Sequence, residues 1–115
     1  MTDNIGYYNF PDHVKGDTFD GVLFTVTVNA VALDLTPATI DMDLRLTPTG
    51  TVVESFSSTG SGGITIDANP VLGKFTFDAQ VIDIAAGEYY YDIQITLSDT
   101  PDIVKTYIKG RWTVL

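Results

Sequence analysis

Residues 84–97, Ile84-Ala85-Ala86-Gly87-Glu88-Tyr89-Tyr90-Tyr91-Asp92-Ile93-Gln94-Ile95-Thr96-Leu97, constrain the fold more than any other part of the chain. A turn of small residues leads into a run in which Tyr89, Tyr91, Ile93, Ile95 and Leu97 share one face. Glu88, Tyr90, Asp92, Gln94 and Thr96 share the other. Successive side chains on a pleated strand point to opposite sides, so alternation over this length specifies a strand with one buried and one wet face.

The same periodicity recurs. In 22–28, Val22, Phe24, Val26 and Val28 oppose Leu23, Thr25 and Thr27; Asn29-Ala30 is read as a tight hairpin turn, with 31–35 as the returning strand. In 39–47, Ile40, Met42, Leu44 and Leu46 are expected inside and Asp41, Asp43 and Arg45 outside. Pro48-Thr49-Gly50 has turn chemistry, and 51–57 returns antiparallel. Shorter strands are expected over 12–18, 64–67 and 74–78. A last one over 103–115 is interrupted by a bulge at Lys109-Gly110. Ser57-Ser58-Thr59-Gly60-Ser61-Gly62-Gly63 lacks apolar residues to bury and reads as a flexible loop. No helix is expected, since 78–86 is short and β-branched in its middle.

Seven to nine short strands with turn signals about every 8–12 residues predict an all-β chain folded as an immunoglobulin-like antiparallel β-sandwich. A small residue two positions before a strand-opening tyrosine matches the corner of such sandwiches, where the hydroxyl bonds back to the preceding loop. Gly87 and Tyr89 are assigned to it. Tyr91 then stands where antibody domains carry a disulfide cysteine, and is expected to pack by size alone. Residues 1–11 read as an N-terminal arm and 12–115 as the sandwich domain.

Composition narrows function. At 115 residues the chain is one domain, and 44% hydrophobic content supports a packed core. A formal charge of −9 repels phosphate backbones and anionic headgroups, so neither nucleic acid nor membrane is an expected partner. No apolar run approaches the roughly 20 residues of a spanning helix, and the first residues lack the basic and apolar regions of a secretion signal. With no cysteine, thiolate catalysis, disulfides and cysteine-based zinc sites are excluded, and folding in a reducing cytoplasm is expected.

Catalytic signals are absent. His13 is the only histidine and no G-x-S-x-G elbow exists, so nothing activates a hydroxyl nucleophile. Asp41 and Asp43 share a face, but the solvent face. Asp17 with Asp20, and Asp99 with Asp102, could supply oxygen ligands to calcium, yet neither pair has the dense spacing of a dedicated loop. No metal, cofactor or enzymatic activity is expected. Trp112 reads as core. Ile5, Tyr7, Tyr8 and Phe10 form an aromatic N-terminal cluster and are the candidate partner-binding residues.

The order of motifs resembles the immunoglobulin-like domains of tailed-bacteriophage virion proteins, including the N-terminal domain of baseplate upper proteins. The likeness rests on Lys15-Gly16-Asp17-Thr18-Phe19, then Leu33-Asp34-Leu35-Thr36, then the alternating Met42 to Leu46 stretch with its arginine. Gly87 to Gln94 and the closing Tyr107-Ile108-Lys109-Gly110-Arg111-Trp112-Thr113-Val114 complete it. It spans residues 14–115. Baseplate upper proteins continue beyond the part matched here, so the resemblance implies a stand-alone adaptor or decoration subunit. It also implies a virion location after assembly in the host cytoplasm, contacts with other virion proteins and a symmetric homo-oligomer. Tail, neck or fibre/baseplate adaptor placement is the leading expectation. A capsid-surface decoration protein is the first alternative, and a carbohydrate-binding adhesion module using Tyr90 and Tyr107 is the second.

Overall fold

A computed structural model of the chain describes residues 6–60, 62–99 and 101–115. Its strands are β1 (Gly6–Tyr7), β2 (Thr18–Phe19), β3 (Val22–Thr25), β4 (Thr27–Val28), β5 (Val31–Ala32), β6 (Ala38–Arg45) and β7 (Val52–Ser57). They continue as β8 (Ile64–Ile66), β9 (Lys74–Phe77), β10 (Gln80–Val81), β11 (Gly87–Leu97) and β12 (Ile103–Val114). A single 3₁₀ turn, Pro70–Leu72, is the one helical element among the described residues.

Two main sheets stack. One has the order β1-β12-β11-β6-β7 and the other β3-β9-β8, with β2-β10 and β4-β5 as short flanking pairs. β12, β11 and β6 of the first sheet thus lie over β3, β9 and β8 of the second, the layering of an immunoglobulin-like sandwich. The long alternating runs explain it. Ile40, Met42 and Leu44 of β6, with Tyr89, Tyr91, Ile93 and Ile95 of β11, meet Phe24, Ile64, Phe75 and Phe77 of the facing sheet in one core. All buried residues among those described are hydrophobic.

Several expectations are corrected. Leu46 is 57% exposed, because the β6–β7 register shifts between Leu44 and Arg45 and β6 stops there. Alternation in the sequence thus outlasts the strand. The 12–18 stretch contributes only a single bridge between His13 and Val114, and strand structure begins at Thr18. The irregularity in the last hairpin lies opposite Ile93 and Gln94, where Tyr107 is the extra residue, and not at Lys109-Gly110. The serine–glycine loop is held at both ends: Ser57 N–H donates to the Gly62 carbonyl, and Ser58 Oγ accepts the Ile40 N–H. At the first hairpin, Asn29 and Ala30 have φ of 53° and 64°, the paired positive values of a turn whose twist suits a two-residue connection.

Candidate binding surfaces: a tyrosine- and arginine-lined groove and an open sheet edge

The N-terminal segment builds one wall of the groove. β1 runs parallel to β12, with Gly6 beside Ile108 and Tyr7 beside Lys109. The chain then continues along the same edge: Tyr8 N–H donates to the Lys109 carbonyl at 2.9 Å, and Phe10 N–H to the Arg111 carbonyl at 3.0 Å. Arg111 N–H donates to Asn9 Oδ1 at 3.0 Å. Strand periodicity therefore turns Tyr8 and Phe10 inward and Tyr7 and Asn9 outward.

This placement corrects the arm reading for the described part of residues 1–11. Phe10 is 5% exposed and its ring meets those of Tyr8, Phe19, Phe24, Phe77, Tyr91 and Trp112, so it is the hub of the aromatic core. The cause is hydrophobic burial: the sandwich would be open at this edge without it. Tyr8 packs edge-on against Phe10 and Phe24. Tyr7, at 78% exposure, remains available to a partner. Ile5 lies outside the described residues.

Tyr91 fastens the segment. Its hydroxyl donates to the Tyr8 carbonyl, so it packs by hydrogen bond as well as by size. Burial pushes its phenol well above the ordinary tyrosine range, with the neighbouring Tyr8 phenol adding to the effect. Gly110 makes the approach possible: a Cβ there would fall 1.7 Å from the Tyr8 carbonyl oxygen.

On the outer face of the five-stranded sheet, the register aligns side chains in two rows. Arg45, Tyr90 and Arg111 form one, and Asp43, Asp92 and Lys109 the next. With Tyr7, Asn9 and Pro48 these residues (Asp43 excepted) line a cavity of about 320 Å³. Arg45 is fixed by Asp92 at 3.0 Å and Asp43 at 3.6 Å, and Asp43 also accepts from Ser55 Oγ. Arg111 stacks on Tyr90 with its guanidinium carbon 5.1 Å from the ring centre, and reaches Glu88 at 3.4 Å in an exposed pair that contributes little. Lys109 makes no salt bridge among the described residues. Asp92 Oδ1 is closed off from solvent without a hydrogen-bond partner. Three of the six basic residues of a chain carrying −9 meet here.

The opposite edge of this sheet is β7. At its end Ser57 is closed by Gly62 and a bridge to Gly63, which leaves 52–55 as open edge with Val52 and Val53 exposed. The Ser55 N–H there is accepted by the Glu54 carboxylate, a charge of the kind native edges use against indiscriminate pairing.

The remaining sequence-derived residues have structural positions. Tyr89 donates its hydroxyl to the Ala85 carbonyl four residues upstream, while a Cβ on Gly87 would meet nothing closer than Tyr89 Cε2 at 4.0 Å. His13 Nε2 donates to the Asp17 carbonyl, and its ring lies against Phe19 and Trp112. Asp102 accepts from the Asp99 N–H. Trp112 is fully buried. Tyr90 and Tyr107 do not form one platform, because Tyr107 packs against the core while Tyr90 lines the groove. No group of three or more metal-ligating side chains occurs among the described residues.

Asn9, Arg45, Lys109 and Arg111 were not singled out by sequence. The available signal was the pair of cations, Lys109 and Arg111, on either side of Gly110, whereas the wet-face neighbours of Tyr90 along its own strand, Glu88 and Asp92, are acidic. Only the β6–β11–β12 register converts that into a cluster. No protein-family model matches this chain, and no curated protein does either.

Proposed function

We propose that the chain is a non-enzymatic structural subunit of a phage or prophage virion, acting through protein–protein contacts as a tail, neck or fibre/baseplate adaptor. The observation that carries the contact mode is the open stretch of β7, an edge strand on which Val52 and Val53 are exposed. A strand of a neighbouring virion protein adds to such an edge through main-chain hydrogen bonds, with side-chain contacts setting specificity. Repetition of the subunit around a symmetric particle turns modest contacts into stable attachment. The order of sequence motifs shared with tailed-phage virion domains supports the setting. The hydrophobic and aromatic interior supports a presenting role, since no aspartate, glutamate, lysine or arginine among the described residues is buried in it.

The test is incorporation. Gradient-purified particles from cells producing the chain are compared with those carrying Val53→Lys or Val53→Pro, each verified to melt like the parent. The proposal expects the parent chain in particles at a fixed ratio to the other subunits, and loss of both variants from them. Absence of the parent from particles contradicts the virion role, and undiminished incorporation of both variants contradicts the β7 contact.

A further inference from the structure

We propose that the outer-face groove binds a carboxylate-bearing sugar unit of a glycan, a site independent of the virion reading and of the β7 edge. The cavity of about 320 Å³ falls in the size range of small-ligand sites and holds one or two sugar rings. Tyr7 of β1 and Tyr90 of β11 line it with aromatic side chains, with the Arg111 guanidinium over the ring of Tyr90. Asn9 has its Oδ1 committed to the Arg111 N–H, which fixes the side chain and leaves the amide nitrogen as a donor for a hydroxyl. Arg45, locked between Asp92 and Asp43, forms a rigid floor.

The charge selects the ligand. Lys109 has no ion pair among the described residues, and the exposed Arg111–Glu88 contact is readily exchanged for a ligand carboxylate. The three cations stand out in a chain of net charge −9, so an anionic group is accepted at this spot and repelled over most of the remaining surface. An extended acidic peptide fits less well: lying in the groove it crosses the face of the sheet, where the backbones of β1 and β12 are bonded to each other and add no ladder to it, while the open side of β1 lies at the rim.

The test is a ¹⁵N NMR titration of the full chain with tetragalacturonate, maltotetraose and hexaglutamate. Tetragalacturonate is expected to shift the amides of Tyr7, Tyr90, Lys109 and Arg111, with affinity about tenfold or more above the other two. Tyr7→Ala and Lys109→Gln, both at exposed positions, are each expected to weaken it by about tenfold while the melting temperature holds. Equal binding of maltotetraose overturns the role of the carboxylate, and equal binding of hexaglutamate overturns the sugar. Absence of shifts, shifts elsewhere, or unchanged affinity in both variants overturns the site.

Discussion

The Tyr91 hydroxyl donates to the backbone carbonyl of Tyr8, across 83 residues of sequence, and thereby pins the N-terminal segment to the centre of the five-stranded sheet. Two residues earlier on the same strand, Tyr89 makes the same kind of bond to the Ala85 carbonyl. One face of β11 thus holds both the loop that precedes it and the strand that closes the sheet. That second tie places Tyr7 and Asn9 on the groove and Phe10 in the core.

Replacing Tyr91 with Phe keeps the ring and removes this bond. Stability at neutral pH is expected to fall by about 1 kcal/mol, read from denaturant unfolding. The amides of Tyr8 and Phe10 are expected to exchange faster. The pH dependence has a definite sign. The phenol ionises less readily folded than free, so its contribution is complete below its ordinary value of 10.0 and declines as pH rises above that. The parent is therefore expected to lose stability in alkali through Tyr91 ionisation, and Tyr91→Phe to lack that component.

Phe10→Ala separates a core residue from a docking one. As the hub of six ring contacts, its truncation is expected to cost about 3–5 kcal/mol. Tyr7→Ala, at the exposed position three residues earlier, is expected to stay within about 0.5 kcal/mol of the parent. Thermal unfolding of the two variants checks the contrast.

Two glycines on the outer sheet are expected to differ just as sharply. Gly110→Ala sets a methyl against the Tyr8 carbonyl and must lift β1, at a cost of about 3 kcal/mol or more. Gly87→Ala meets only Tyr89 Cε2, at an ordinary contact distance of 4.0 Å, and is expected to change stability by less than about 0.5 kcal/mol. Denaturant midpoints report both.

The long strands were readable because burial imposes period two on β6 and β11, and turn chemistry marked Asn29-Ala30. What escaped was set by partners distant in sequence. Gly110 looked like a bulge, but its smallness answers to the carbonyl of Tyr8 passing over it. The run from Tyr7 to Phe10 alternates, yet it is too short to announce a strand, and its parallel partner lies about a hundred positions away. The groove has the same origin: Tyr7, Arg45, Tyr90 and Arg111 come from four strands and meet only through their register.

Ala30 carries a residual local cost that a single substitution relieves. At φ 64° its Cβ is strained where glycine is not, so Ala30→Gly is expected to stabilise the chain by about 0.5–1 kcal/mol. Calorimetric melting measures this directly.

The most direct measurement is a cryo-EM reconstruction of any particles purified from cells that produce this chain. The account predicts a five-over-three-stranded sandwich at symmetric positions on the tail, neck or fibre base. It also predicts residues 52–55 paired with a neighbouring protein and the Tyr7–Tyr90 groove facing solvent. A particle without this sandwich, or one with the groove buried and β7 bare, would contradict it.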